Sequence, residues 1–113
     1  MQNVKLIECP RDAMQGIKDW IPTEKKVQYI QSLLRCGFDT IDFGSFVSPK
    51  AIPQMQDTAE VLAQLDLSKT VSKLLAIVAN VRGAEAAVQF PEIQYLGYPF
   101  SISENFQMRN THK

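Results

Sequence analysis

"FDTIDFGSFVSPKAIPQMQDTAEVL", residues 38–62, combines a short apolar segment, a loop with two prolines and the start of an amphipathic segment. Its first seven residues are β-prone and carry Asp42 near their end. Pro49 and Pro53 would each break a helix or a strand, so residues 45–55 are predicted to form a loop. A strand, a loop and a helix in this order make one β/α unit. The segment therefore predicts an α/β fold with a parallel sheet.

The same alternation continues on both sides of this segment. Parallel strands are predicted near 3–8, 39–43, 73–79 and 93–98, and the apolar run at 72–80 is typical of a strand buried on both faces. A turn, "PRDAMQG", follows the first strand. Helices are predicted at 24–35, at 57–67 and at 81–90, capped by Thr23, by Asp57 or Thr58, and by Asn80. The chain is predicted to be one domain with right-handed crossovers.

The composition limits the classes of function. Twelve basic residues balance twelve acidic residues among 113, so no electrostatic attraction to nucleic acid or to an anionic membrane is expected. No apolar run approaches the length of a membrane span, and a soluble cytoplasmic protein is predicted. Cys9 and Cys36 do not form a metal or redox motif, and they are expected to be reduced, buried and apolar in character.

Polar side chains follow each of the four predicted strands. Carboxyl ends of parallel strands share one edge, where functional groups of α/β folds collect. Carboxylate and amide oxygens suit Mg²⁺ or Mn²⁺, and arginine can stabilise an oxyanion. Taken singly, these residues also have ordinary interpretations as helix caps, turns or solvated ion pairs. The set comprises Arg11, Asp12, Asp42, Ser45, Asn80, Ser101, Ser103 and Glu104.

Other site classes are disfavoured by the same survey. There is no Gly-rich phosphate loop, which argues against a nucleotide site of that kind. The single histidine, His112, lies at the C-terminus, so neither a Ser-His-Asp triad nor a His-rich metal site is expected from this chain.

A resemblance to a known family is carried by four segments: "VKLIECPRDAMQGIK", "SFVSPKAIPQMQD", "ANVRGAEAAV" and "SISENFQMRN". They resemble the corresponding segments of hydroxymethylglutaryl-CoA lyases. These enzymes are members of the metal-dependent TIM-barrel lyases and acyl-CoA condensing enzymes. The resemblance covers essentially the whole chain and corresponds to the N-terminal third of such an enzyme. It implies cleavage of 3-hydroxy-3-methylglutaryl-CoA, or a related 3-hydroxyacyl-CoA, to acetyl-CoA and acetoacetate, a reaction of leucine degradation. An acyl-CoA substrate and a homo-oligomer are implied as well.

The resemblance also implies a role for each residue of the site. Arg11 would polarise the thioester carbonyl, and Asp12 would be a ligand of a divalent metal, Mg²⁺ or Mn²⁺. Asp42 would be catalytic, standing where the family usually has Glu. Substrate binding would involve four polar residues, Gln15, Ser45, Asn80 and Ser103. "CPRDAMQG" departs from the family's "GPRDGxQN" at Cys9, Ala13 and Gly16, which concerns the identity of the substrate more than the fold.

A complete barrel requires about 250 residues. The resemblance therefore implies that residues 1–113 form a single partial domain, the N-terminal half of a (β/α)8 TIM barrel, without the later metal ligands. The isolated chain is expected to be inactive. An alternative function is a non-catalytic half-barrel that associates with itself or with a partner, because open strand edges invite pairing.

Overall fold

Four parallel strands form one sheet, which confirms the predicted α/β fold. The structure is a computed structural model that describes residues 5–98. The strands pair in chain order, β1 with β2, β2 with β3 and β3 with β4, and every pair is parallel. The carboxyl ends of all four therefore lie along one edge. The strands are β1 (Ile7–Glu8), β2 (Thr40–Ser45), β3 (Lys73–Ile77) and β4 (Ile93–Gly97).

The helices alternate with the strands. They are α1 (Pro10–Gln15), α2 (Thr23–Leu34), α3 (Thr58–Gln64) and α4 (Val81–Ala87), and a short 3-10 helix (Pro53–Met55) lies within the proline-rich loop. The predictions of α2, α3 and α4 are confirmed. The prediction of a turn at 10–16 is wrong, because Pro10 occupies the first helical position, where its fixed φ and missing N–H favour a helix.

Three local predictions also need correction. Of residues 5–8, the described part of the predicted first strand, β1 covers only two, because its partner β2 begins at Thr40, opposite Ile7. Thr23 is the first residue of α2 rather than its cap, and its hydroxyl donates to Asp57 at 2.6 Å. Asp57 precedes α3 without capping it through its side chain.

Burial differs between the two central strands. Every residue of β2 is buried, since α1, α2 and α3 all pack against it. In β3 buried and half-buried residues alternate, so the prediction that this strand is buried on both faces is wrong. Its face with Leu74 and Ala76 contributes to the core, whereas the opposite face, with Leu75 and Ile77, lacks full cover among the described elements.

The core lies between the sheet and the helices. Its buried members are Met14, Ile30, Leu34, Ile41, Phe43, Met55, Val61, Leu62, Leu74 and Ala76. α3 approaches β2 closely at Gly44, where a Cβ atom would lie 2.5 Å from Thr58 Cγ2. The Thr58 hydroxyl accepts a hydrogen bond from the Ser45 amide at 3.1 Å and lies 3.0 Å from the Ser45 carbonyl. A glycine is required here so that this hydroxyl can reach the strand.

A buried ion pair joins α2 to the start of α3. Lys26 is only 2% exposed, and its Nζ atom lies 2.7 Å from Asp57 Oδ1. The same ammonium donates to the backbone carbonyl of Gln54 and lies 3.8 Å from the centre of the Trp20 ring. Because a buried charge is costly unless it is paired and hydrogen-bonded, these contacts fix the position of the lysine.

Gln54 connects the proline-rich loop to the segment that follows α1. Its side-chain oxygen accepts from the Ile21 amide at 3.0 Å, and its side-chain nitrogen lies 2.8 Å from the Ile17 carbonyl and 3.0 Å from the Asp19 carbonyl. Gln54 itself is buried, so its side chain is held between the two segments and away from water, although its partners on the other segment are partly exposed. The proline-rich loop is thus held by hydrogen bonds as well as by its prolines.

We expect Gly44→Ala to lower the free energy of unfolding by about 1–3 kcal/mol, because the added methyl group collides with Thr58. Urea titration of both proteins measures this difference. Gly16→Ala is the matched control, since a Cβ atom there has nothing within 4 Å and the change should be nearly neutral. Adding Thr58→Ser to Gly44→Ala should restore part of the lost stability, because it removes the methyl group that the new Cβ meets. Equal stability of the Gly44→Ala and Gly16→Ala proteins would contradict the packing argument.

Candidate active site at the carboxyl edge of the sheet

Arg11, just beyond the carboxyl end of β1, forms an ion pair with Asp42, which is the third residue of β2 and does not end that strand as predicted. The Nε atom of Arg11 lies 3.0 Å from Asp42 Oδ1, and Nη2 lies 2.9 Å from Oδ2. Both side chains are largely withdrawn from solvent, with 15% and 7% of their surface exposed. α1 positions the arginine, because the helix begins directly after β1 and turns residue 11 towards Asp42 in the middle of β2.

Gln15 completes the support of the arginine. Its side-chain oxygen accepts a hydrogen bond from Arg11 Nη1, four residues earlier on α1. Residues at this spacing face each other on a helix, whereas in a turn they would not be held together in this way. The sequence did contain a signal for this helix, which the prediction of a turn did not use. The signal is Pro10 at the first helical position and the four-residue spacing of Arg11 and Gln15.

The guanidinium keeps part of its hydrogen-bonding capacity. An arginine side chain has five N–H groups. Nε donates to Asp42, Nη1 donates to Gln15, and Nη2 lies 2.9 Å from Asp42 Oδ2, so among the described residues some N–H groups of the terminal nitrogens are left for a ligand. A fixed cation with free donors at a sheet edge can stabilise a negatively charged oxygen.

The environment of Asp42 opposes its ionisation. Burial raises the pKa of the Asp42 carboxyl above its ordinary value, because the loss of hydration outweighs the attraction and hydrogen bonds of Arg11. The negative charge of Asp12 raises the same pKa further. Asp42 is therefore a carboxylate that accepts a proton more readily than an exposed aspartate would.

The remaining residues of the predicted site are placed differently. Asp12 is exposed at the same edge, whereas Ser45 is buried and its hydroxyl accepts from the Val47 amide at 3.1 Å. Asn80 follows β3, and its side-chain oxygen caps α4 by accepting from the Gly83 amide at 2.8 Å. Ser103 lies outside the described residues. The structure thus joins Arg11, Gln15 and Asp42 directly and places Asp12, Ser45 and Asn80 along the same edge.

The prediction of buried cysteines is wrong, although both thiols are free. Cys36 lies in the exposed turn after α2, and Cys9 lies at the exposed start of α1. Partial burial of its sulfur and the nearby charge of Asp42 raise the pKa of the Cys9 thiol. A raised pKa disfavours the thiolate, which makes Cys9 a poor nucleophile.

Three polar or aromatic residues beside the site were not singled out as functional from the sequence. Gln54, Lys26 and Trp20 hold the segment that follows Gln15, as described above. A buried glutamine between Pro53 and Met55 has no sequence signature of its own, because its partners are backbone groups more than thirty residues away.

Within residues 5–98, no three His, Cys, Asp or Glu side chains are grouped so that they could hold a metal ion. Asp12 supplies one exposed carboxylate at the edge. The donor set of the described residues is thus insufficient to hold a divalent ion by itself. None of the described helices is both long and apolar enough to cross a membrane.

A parallel β/α sheet with a supported arginine and a carboxylate at its carboxyl edge defines part of a TIM-barrel enzyme. Solved structures agree with this class. The chain superimposes on a hydroxymethylglutaryl-CoA lyase of Acinetobacter baumannii, solved with coenzyme A and 3-methylmalate, with a TM-score of 0.88 and 34% identity over 96% of this chain and 35% of that one. For the Bacillus subtilis enzyme the TM-score is 0.87 at 36% identity, over 97% of this chain and 37% of that one.

Sequence relatives point to the same enzymes. The hydroxymethylglutaryl-CoA lyase of Bacillus subtilis is 41% identical over 92% of this chain and 34% of its own length. The Pseudomonas aeruginosa relative, a 3-hydroxy-3-isohexenylglutaryl-CoA/hydroxymethylglutaryl-CoA lyase, is 36% identical over 96% of this chain and 36% of its own length. No protein-family model matches the chain. The chain belongs to the hydroxymethylglutaryl-CoA lyase family, and it spans about a third of the length of these relatives.

The raised pKa of Asp42 predicts a specific pH dependence. The folded protein binds a proton on Asp42 more readily than the unfolded chain does, so lowering the pH relieves a cost of keeping this group ionised. We expect the free energy of unfolding of the wild type to rise relative to that of Asp42→Asn as the pH falls from neutral towards 3.8, the ordinary pKa of the group. Urea titrations at a series of pH values measure this difference.

Asp66→Asn is the control with the opposite sign. Hydrogen bonds from Ser68 lower the pKa of the exposed Asp66, so the wild type should lose stability relative to this variant once the pH falls below 3.8. A wild type that loses stability relative to both variants as the pH falls would contradict the assignment for Asp42.

Proposed function

We propose that a protein carrying this chain at the full length of its family is a carbon–carbon lyase. It would cleave 3-hydroxy-3-methylglutaryl-CoA, or a related 3-hydroxyacyl-CoA, to acetyl-CoA and acetoacetate. Family membership at 34–41% identity supports the reaction class. The observation that carries the proposal is the fixed guanidinium of Arg11, with N–H groups left for a ligand at the carboxyl edge of the sheet.

Arg11 would act on the thioester carbonyl. Cleavage of the carbon–carbon bond leaves an enolate, whose negative charge collects on the thioester oxygen. A guanidinium already oriented by Asp42 and Gln15 can receive this charge without reorganising, which is how preorganised donors accelerate such steps. We propose Asp42 as the second catalytic residue, because its raised pKa suits proton transfer better than that of an exposed aspartate.

The other residues are proposed to bind the substrate. Gln15 orients Arg11, and among the described residues its side-chain NH₂ group has no recorded acceptor, which leaves it for a ligand. Ser45 and Asn80 each use an oxygen to accept an amide hydrogen bond. Within residues 5–98 the side-chain NH₂ group of Asn80 has no recorded acceptor, whereas Ser45 is buried and would meet a ligand only through the loop that it supports. Ser103 remains a proposed ligand-binding residue that lies outside the described part of the chain.

The cofactor and partners are proposed for the longer protein. Its divalent ion, Mg²⁺ or Mn²⁺, would take Asp12 as one ligand and the others from outside residues 5–98, because those residues do not hold a sufficient set. An acyl-CoA substrate is supported by the relative solved with coenzyme A. We propose the cytoplasm as the compartment, as in the zebrafish and rat relatives named cytoplasmic, although those of chicken and Arabidopsis are named mitochondrial.

One observation favours the alternative of a self-associating half-barrel. Large apolar side chains are exposed at both outer strands of the sheet: Ile7 in β1 with Leu6 just before it, and Tyr95 and Leu96 in β4. In the longer protein we propose that further strands cover such edges and that the whole forms a homo-oligomer. In the isolated chain the same edges would favour association between copies.

A chimera tests the lyase proposal. Residues 1–113 replace the matching segment of the Bacillus subtilis relative, and acetoacetate formation from 3-hydroxy-3-methylglutaryl-CoA is measured with Mg²⁺ present. We expect turnover by the chimera and none by the isolated chain, because one carboxylate cannot retain the ion in a reactive geometry. An inactive but folded chimera would overturn the proposal, and turnover by the isolated chain would overturn the ligand argument.

Within the chimera, Arg11→Ala should reduce kcat by about 10²–10³, the usual cost of losing one preorganised partner of an oxyanion. Arg35→Ala is the matched control, since Arg35 is exposed at the far end of α2 and its removal should leave kcat unchanged. Circular dichroism verifies that both variants are folded. Wild-type turnover by the Arg11→Ala chimera would remove the role proposed for this residue.

A further inference from the structure

One buried side chain, that of Gln54, fixes the segment that leads away from the arginine site. Its oxygen accepts from the Ile21 amide at 3.0 Å, and its NH₂ group donates to the carbonyls of Ile17 and Asp19 at 2.8 and 3.0 Å. An amide NH₂ group has two hydrogens to donate, so both are used here. Gln54 is 4% exposed, whereas Ile17 and Asp19 are exposed. A single buried residue of the loop after β2 therefore determines the path of the exposed segment after α1.

The connection from Gln54 to α1 passes through one residue. The Ile17 amide donates to the Met14 carbonyl at 3.0 Å, which closes the last turn of α1, and the Ile17 carbonyl accepts from Gln54. Gln15 lies in this same turn, and its side-chain oxygen accepts from Arg11 Nη1. The Gln54 amide is thus linked to the guanidinium through Ile17, the end of α1 and Gln15.

α1 needs such a connection because it is too short to hold its own geometry. It has six residues, and the residue before it makes no capping hydrogen bond with its side chain. Isolated helices of this length are unstable in water, so tertiary contacts must define where α1 lies. Met14 packs into the core, and Pro10 is buried at the start of the helix. The Gln54 hydrogen bonds fix its end, and the orientation of Arg11 depends on that end because Gln15 lies there.

We propose that Gln54 is a positioning residue for catalysis, which acts through the orientation of Arg11. This inference rests on the proposed function, in which the guanidinium receives the charge of the enolate oxygen. The N–H groups of such a donor must point at the place where the charge develops, and a displacement of about 1 Å costs a large part of the rate. Loss of the Gln54 hydrogen bonds would therefore lower turnover although Arg11, Gln15 and Asp42 are all retained.

The same contacts predict that stability changes less than turnover. The partners of the Gln54 side chain are backbone groups in an exposed or half-buried segment, so water can replace its hydrogen bonds when the side chain is changed. Gln54→Met retains the length of the side chain, and it keeps the backbone carbonyl that accepts from Lys26. The buried ion pair of Lys26 with Asp57 should thus survive the substitution, and the fold with it.

Gln31 offers a matched control at the opposite edge of the sheet. Its side chain also bridges to backbone groups distant in sequence, since it accepts from the Asp66 amide at 2.8 Å and donates to the Asp66 carbonyl at 2.9 Å. These contacts join the last turn of α2 to the segment after α3, ahead of β2 and β3. Gln31→Met therefore removes a comparable amide bridge that is remote from Arg11.

The kinetic test is a double-mutant cycle in the chimera with the Bacillus subtilis relative. We expect Gln54→Met to lower kcat by about tenfold or more and to change KM by less than about twofold, because only stabilisation of the transition state is lost. In the Arg11→Ala background the same substitution should change kcat by less than about twofold, since the group through which Gln54 acts is already absent. Gln31→Met should leave kcat unchanged in both backgrounds. Circular dichroism verifies that each variant is folded.

A spectroscopic test needs no turnover. The NMR signal of the Arg11 Nε–H group, which donates to Asp42, reports the orientation of the guanidinium. In the 113-residue chain, Gln54→Met should shift this signal and speed its exchange with solvent, whereas Gln31→Met should not. Gln54→Glu, which keeps an oxygen for the Ile21 amide but loses both donors, should act in the same direction. It replaces Gln54→Met in both tests if the methionine variant does not fold.

Three results would each overturn the inference: an unchanged kcat for the folded Gln54 variant, an equal loss of kcat in Gln31→Met, or an undiminished further loss in the Arg11→Ala background. Failure of the proposed function is a separate result. A folded but inactive chimera without these substitutions contradicts the lyase proposal. The Arg11 signal then decides whether Gln54 orients the guanidinium, and a signal that does not respond to the Gln54 variant contradicts that role.

Discussion

The buried ion pair between Lys26 and Asp57 is the interaction on which the functional edge of this chain depends. It joins α2 to the start of α3, and through the Gln54 carbonyl and the Trp20 ring it reaches the loops that follow β1 and β2. A lysine with 2% of its surface exposed has lost its hydration, so it is stable only while these partners remain in place. The pair therefore couples the packing of two helices to the position of the segment behind Gln15.

The ion pair between Arg11 and Asp42 serves a different purpose at the same edge. Its carboxylate is buried enough that lost hydration outweighs the attraction of the arginine, and the pKa of Asp42 rises as a result. An arrangement of this kind adds little to stability, yet it orients a cation and leaves N–H groups directed away from the carboxylate. Perturbed groups of this type are characteristic of functional sites.

The relation to hydroxymethylglutaryl-CoA lyases gives these two features a common setting. In barrel enzymes the loops after the strands carry the chemistry, and here the segments after β1 and β2 contain Arg11, Gln15 and the buried Gln54 that connects the two segments. About a third of the family's length is present in this chain. That third contains the oriented cation, while the donors of a metal site are insufficient within residues 5–98.

The sequence by itself determined the order of the strands and of α2, α3 and α4, the parallel sheet and the edge near which Arg11, Asp42 and Asn80 would lie, whereas α1 was predicted as a turn. These features follow from local periodicity and from the rule that parallel strands share a carboxyl edge, and both can be read from neighbouring residues. Only the tertiary structure decided that β2 is buried on both faces while β3 is not, that both cysteines are exposed, and that the buried Gln54 holds a loop more than thirty residues away. Burial and such hydrogen bonds depend on which distant elements pack together. The local sequence pattern does not specify that packing.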